Sequence, residues 1–213
     1  MREAPEPVVR AVLTRGRIVH AAVALLERHG PEALSMRAVA AELGVAVMSL
    51  YNHVPNKAAL MEGVAEYVVA GLDEVPFVDD WRDETRALVR AFRAAAHEYP
   101  HAMRVVLSHS IESTAASRLA ERSLALAARA GFRGAVAVRI VHALMAYAVG
   151  SQLQALWLGQ LLDRVADIEV DPARFPHVVA SATALLAHDP EADFEFGLDL
   201  FISAIDALPR GTG

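Results

Sequence analysis

The run from Ser35 to Lys57, SMRAVAAELGVAVMSLYNHVPNK, leaves few ways to fold. With Met36 as the first position of a helix-turn-helix, Val39, Leu43, Val45 and Leu50 fall on the inward side. Small Ala40 sits where the two helices cross, and a larger side chain there would push them apart. Gly44 falls in the turn, at a position that often needs a positive φ, which glycine adopts without penalty. Together these constraints point to a tight helical corner.

The rest of the chain carries helix punctuation of the same kind. Thr14 caps a first helix with Ile18, Ala22, Leu25 and Leu26 on one face, stopped by Gly30-Pro31. Ser35 caps a second through Leu43, a third of one to two turns runs to about His53, and Asn56 caps a fourth to about Gly71. Pro76 and the acidic residues between Asp73 and Asp80 read as a linker. Beyond it the pattern predicts helices at 81–98, 101–109, 114–130 and 134–162, a short helix after Pro172, and a last one from Asp189-Pro190 to before Pro209. No segment shows strand alternation. The expected fold class is all-α: an N-terminal three-helix domain over 1–57, and a C-terminal helical bundle over 58–213 entered through the fourth helix, 57–71, as connector.

Charge divides the chain in the same place. The net charge is −6, yet residues 1–57 hold seven Arg or Lys against five Asp or Glu, a net of +2, which leaves −8 for residues 58–213. A basic head on an acidic body suits a nucleic-acid reader joined to a non-binding domain. Cysteine is absent, which removes disulfides, thiol nucleophiles and thiolate metal sites, and suits a reducing compartment. No secretory pattern opens the chain, so a cytoplasmic location is expected. In the most apolar stretch, Ala135 to Leu162, Arg139, His142, Gln152 and Gln154 interrupt the run, so the expectation is a buried helix of a soluble protein and no membrane partner.

The outward face of the third helix offers Val47, Met48, Ser49, Tyr51, Asn52 and His53, all suited to approach base edges or phosphates in a major groove. No carboxylate stands among them to be repelled by phosphate. Lys57, the only lysine in the sequence, opens the fourth helix, where ammonium charge and backbone N–H groups can hold one phosphate. The competing reading is an ordinary helical corner with Tyr51 and His53 as half-buried surface residues.

The stretch from Thr14 to Lys57, above all ALSMRAVAAELGV followed by MSLYNHVPNK, resembles the N-terminal domain of the tetracycline-repressor (TetR) family; the LYxHVxNK pattern carries the resemblance. The ending FEFGLDLFISAIDAL is similar to the last dimer helix of many such regulators. The resemblance implies a ligand-responsive transcriptional regulator, most simply a repressor, that binds a palindromic operator as a homodimer and lets go when a small molecule enters the body. By position it implies that Arg37 contacts phosphate, that Val47, Met48 and Ser49 face bases, and that Tyr51, His53 and Lys57 grip the backbone. Asn52, with Ser35 and Met36 at the start of the second helix, completes the DNA-facing set.

In the body, the helices near Val136–Leu162 and Pro190–Leu208 are too apolar for one-sided packing, so two-sided burial is expected. A four-helix interface with a second copy provides it, and a monomer core is the alternative. His97, Met103, Arg104, His109, Tyr147, Gln152 and Trp157 punctuate apolar helices in the manner of a pocket with a few orienting groups. His97 and His101 have i,i+4 spacing, but Pro100 lies between them, so no metal site is expected, and no cofactor. Nucleophile elbows, phosphate-cradling glycine loops and HExxH are absent from the sequence, which argues against an enzyme; a helical interaction module that does not use DNA is the third possibility.

Overall fold

A computed structural model describes residues 12–109, 113–165, 171–187 and 189–210, with side chains described for all of these except 108, 109 and 155–165. The elements run α1 Arg15–His29, a 3₁₀ turn Pro31–Ala33, α2 Met36–Glu42, α3 Val47–Tyr51, α4 Lys57–Asp73, α5 Trp81–Glu98 and α6 Pro100–His109. They continue as α7 Thr114–Arg129, α8 Gly134–Val165, α9 Pro176–Ala180, α10 Ala182–Leu186 and α11 Pro190–Asp206, with no strand among the described residues. The fold class is all-α, as the punctuation predicts. The short helix expected after Pro172 is present as α9, followed by α10.

The chain divides by contact into two compact units, 1–70 with 99–117, and 71–98 with 118–213. This division falls beyond the expected boundary at 57 and keeps most of α4 with the first unit, where Gly63, Glu66 and Tyr67 meet Val19, Arg15 and His20 of α1. It also places α6 with the head, which sequence order alone does not suggest.

In the first unit α1 is built around Ile18, Ala22 and Leu26, each fully buried, and begins where Thr14 Oγ1 accepts from the Arg17 N–H at 3.2 Å. Burying a leucine or isoleucine fully is worth about 1.5–3 kcal/mol, so this stripe is the main adhesive of the unit. α4 comes close through Gly63: a Cβ there would stand 2.5 Å from Val19 Cγ2, inside contact distance. Arg15 joins Glu66 at 2.8 Å and Arg28 joins Glu42 at 2.5 Å, tying α1 to α4 and to α2. Glu27 accepts from the N–H groups of His101 and Ala102, 3.3 and 2.8 Å away, and so caps α6, whose first residue Pro100 has no N–H to satisfy. His20, Tyr67 and Tyr99 meet edge to face along the same side.

In the second unit α5 lays Leu88, Val89 and Phe92 on α8, and α8 in turn receives α11 through Phe194, Leu198, Ile202 and Ile205. Four arginines on α5 meet four carboxylates on α11 in antiparallel order: Arg82 with Asp206, Arg86 with Asp199, Arg90 with Glu195, and Arg93 with Glu191. Glu84 on α5 is 1% exposed and holds Arg122 at 3.3 Å and Arg129 at 2.5 Å, both from α7. The same arginines donate to the carbonyls of Leu72 and Val75, and of Val78 and Asp79, so the end of α4 and the segment that follows are bracketed onto α5 and α7.

Two-sided burial of α8 and α11 is not supplied within one chain, which speaks against the monomer-core alternative. Leu153 on α8 and Phe196 and Leu200 on α11 are 64%, 69% and 56% exposed. α5 and α11 make the closest packing on α8. The stretch Gly134–Gln154 is long and apolar enough to cross a membrane by length and composition, so the sequence expectation of a buried helix is not met by intramolecular packing alone.

Candidate nucleic-acid interface

Local hydrogen bonding sets the corner that carries α3. Ser35 Oγ accepts from the Ala38 N–H at 3.1 Å and starts α2. At the other end Gly44 takes φ 65°, its N–H donating to the Ala41 carbonyl at 3.1 Å, while the Val45 N–H reaches back to the Ala40 carbonyl at 3.0 Å. This pair of bonds is the Schellman closure, and it depends on a residue that accepts left-handed φ without strain. Ala40 and Val39 are buried at the crossing, as the sequence implied, and Leu43 and Val45 are half-buried.

α3 is pinned from beneath by Leu50 and, just past its end, Val54, which are 0% and 1% exposed. The Val54 and His53 N–H groups both donate to the Leu50 carbonyl, at 2.8 and 2.9 Å, which turns the chain toward α4. What remains outside is Met48, 72% exposed, with Tyr51, Asn52 and His53 also exposed and Val47 and Ser49 half-buried. Asn56 Oδ1 accepts from the Ala59 N–H at 2.8 Å and caps α4 beside exposed Lys57. Arg37 is exposed on α2. Neither Arg37 nor Lys57 is engaged in an ion pair among the described residues, whereas Glu42 at the end of α2 is paired with Arg28. The surface therefore presents hydrogen-bonding and apolar groups flanked by two cations whose charge is not neutralised. Met36 departs from the DNA-facing set: its side chain is 8% exposed and packs inward, because the first turn of α2 faces the core.

Of the residues that the sequence suggested for a pocket, the structure brings two into one crevice, His97 and Gln152. Met103 is buried in α6 within the first unit, and Arg104 is exposed on the same helix. The side chains of His109 and Trp157 lie outside the described residues. Tyr147 stacks on Phe194 at 5.5 Å and donates to the Phe194 carbonyl at 2.6 Å, and burial pushes its phenol above the ordinary value. His97 and Gln152 do come together, in a polar crevice with Arg90, Arg93 and Glu191. Those arginines are committed to α11: Arg90 donates twice to Glu195, at 2.7 and 2.6 Å, and this pairing holds the Glu195 carboxyl below its ordinary value and raises Arg90. Arg82 does the same to Asp206, assisted by Arg210. A separate cavity of about 70 Å³ in the second unit is walled by α5, α7, α8 and Leu72, with Ile205 of α11. In the sequence its apolar walls look like ordinary core.

Two family descriptions match, "Bacterial regulatory proteins, tetR family" over residues 18–64 and "Tetracyclin repressor-like, C-terminal domain" over residues 76–208. The chain is similar to the HTH-type transcriptional repressor DrrR1 of Streptomyces coeruleorubidus, at 31% identity covering 93% of this chain and 79% of that one. Among solved structures it is similar to a TetR transcriptional regulator from Streptomyces coelicolor, with TM-score 0.77 and 29% identity over 93% of this chain and all of the other. It is also similar to ActR of Streptomyces coelicolor in complex with actinorhodin, with TM-score 0.71 and 25% identity over 92% and 97% of the two chains.

Proposed function

The chain belongs to the TetR family of bacterial regulatory proteins, and from that premise we propose that it is a repressor that binds a palindromic operator as a homodimer and is released by a small molecule. One observation carries the DNA-binding part: α3 exposes a carboxylate-free face, held from beneath by buried Leu50 and flanked by the unneutralised charges of Arg37 and Lys57. Val47, Met48 and Ser49 face the bases, with the apolar pair suited to thymine methyl groups, while Arg37, Tyr51, His53 and Lys57 hold phosphates. Asn52 extends the same face, and Ser35 supports it by capping α2.

Residues 1–57 are the DNA-binding segment in this proposal, and 58–213 serve ligand binding and dimerisation. The uncovered apolar sides of α8 and α11, with Leu153, Phe196 and Leu200 at their centre, are the surface on which a second copy packs. A homodimer of regulators reads two half-sites about one helical turn apart, so small changes in the separation of the two α3 helices cost several contacts together. α4 is the element through which ligand entry reaches the head, since it opens at Lys57 and ends where Arg122 holds the Leu72 carbonyl at 2.7 Å.

Selection of bound duplexes from a random pool tests the reading. The expected result is an enriched inverted repeat whose affinity falls steeply with salt, because neutralised phosphates release counterions. A pool that stays unenriched, with partner binding indifferent to salt, would instead mark a helical interaction module. Loosening the bracket with Arg122→Met tests the route through α4: effector-free operator affinity is retained and release by effector is blunted.

A further inference from the structure

We infer that the apolar run Ala46-Val47-Met48 recognises the 5-methyl group of a pyrimidine in the major groove and is blind to the hydrogen-bonding edge of that base. It follows that 5-methylcytosine serves in place of thymine there, and that methylation of a cytosine at the contacted step tightens binding. The inference rests on the reading that α3 enters the major groove of an operator, and it specifies what is recognised.

In a helix-turn-helix the first residues of the recognition helix approach the base edges. Here Ala46 is the N-cap, exposed and without a side-chain capping bond, Val47 is half-buried, and Met48 is 72% exposed. None of the three side chains has a hydrogen-bond donor, and the Met48 thioether is only a weak acceptor. Ser49 is the first polar side chain of the helix, and it is half-buried; Tyr51, Asn52 and His53 follow at the far end. The outward direction of Met48 is fixed from within, since Leu50 is fully buried and the Ser49 N–H donates to the Ala46 carbonyl at 2.9 Å.

Each base pair shows its own donors and acceptors in the major groove, and thymine adds a methyl group at C5. A side chain without polar atoms gains nothing from thymine O4 or from the cytosine amino group. It strips water from either without replacing it. The methyl group is what it can gain from, and unbranched, polarisable methionine adapts its shape to meet one. 5-Methylcytosine carries the same methyl on the same ring carbon, so the run cannot tell it from thymine. Arg37 and Lys57, exposed on the same side, attract phosphates of any sequence and leave this discrimination to α3. Burying one methyl-sized group is worth about fourfold in affinity, and about fifteenfold over the two half-sites of a dimer.

The test starts from the inverted repeat that the full-length chain enriches from a random pool. Each thymine of the half-site is replaced in turn, in both halves, by deoxyuridine, which lacks only the methyl group. Affinity is read by fluorescence anisotropy at low salt, where phosphate contacts keep weak variants bound. At one or two positions uracil is expected to weaken binding at least about threefold, and at those positions 5-methylcytosine is expected to bind at least about threefold more tightly than cytosine, each paired with guanine. Losing the methyl also alters base stacking, so protein variants assign the effect. In Met48→Ala or in Val47→Ala, with the melting transition recorded to confirm folding, both ratios are expected to fall below threefold. A half-site in which no thymine responds to uracil, responding positions that do not prefer 5-methylcytosine, or ratios that survive in both variants overturn the inference. An enriched repeat with any of these failures removes the methyl readout alone and leaves the repressor reading standing, whereas a pool without enrichment removes both.

Discussion

The face of α3 and the seam between α5 and α11 are both exposed and both built on helices, yet they handle charge in opposite ways. Along the seam every arginine from Arg82 to Arg93 that reaches α11 closes on a carboxylate there. Around α3 the cations Arg37 and Lys57 stand without such partners among the described residues, and the carboxylate of Glu42 on α2 is paired with Arg28. Charge that is satisfied inside the chain holds the chain together, and contributes little beyond that in water. Charge left open is available to an outside polyanion, where each neutralised phosphate adds to affinity. The two surfaces can therefore be separated by experiment, since one should respond in stability and the other in DNA binding.

The largest effect is expected where a charge is both internal and buried. Glu84→Gln keeps the shape but strips Arg122, whose side chain is 11% exposed, of its carboxylate, and should cost about 3 kcal/mol in urea unfolding. A loss below about 1 kcal/mol would mean the bracket is not a structural element of the second unit. Leu50→Ala tests whether the α3 face depends on its anchor. Removing this fully buried side chain should cost about 2–3 kcal/mol and abolish operator binding at temperatures where the protein remains folded. Lys57→Ala should leave the melting transition within about 0.5 kcal/mol of the parent, weaken binding to all duplex sequences alike, and reduce the slope of log affinity against log salt by about 1. A stability change with an unaltered salt slope would assign Lys57 to the fold and erase the contrast.

The smallest effect lies on the seam. Arg86→Met, which breaks the 3.0 Å contact to Asp199, should change stability by about 0.2–1 kcal/mol, and less at high salt. Acid acts on the whole seam together. The Glu195 carboxyl is held below the ordinary glutamate value by Arg90, so the folded state resists its protonation. Its stabilising contribution is complete above the ordinary value of 4.5 and disappears as pH falls through the lower folded value. Unfolding followed by circular dichroism from pH 6 to pH 3 should show that decline in the parent and a shallower one in Arg90→Met.

The elements legible in the sequence share a physical property: their determinants lie within a few residues of one another. Thr14, Ser35, Asn56 and Asp189 each satisfy N–H groups two or three positions ahead, and the turn at Gly44 closes on carbonyls three residues back from Gly44 and five back from Val45. Such bonds form wherever the local string occurs, so the helix order and the α2–α3 corner could be read directly. The same holds for the outward set on α3, because with Leu50 directed inward a short helix has only one other side to offer.

What the tertiary structure alone decided depends on residues far apart in the chain. Arg86 meets Asp199 across 113 positions, and Glu84 meets Arg122 and Arg129 across 38 and 45. Nothing local announces that α6 is capped by Glu27 from α1, 74 and 75 positions away, or that it packs with the head. The pocket residues chosen from sequence were polar interruptions of apolar helices, whereas the cavity is walled by apolar residues indistinguishable in a string from ordinary core. Periodicity tells which face of a helix turns inward; whether the inward faces of three helices meet flush or leave a space is settled only when their side-chain volumes are brought together.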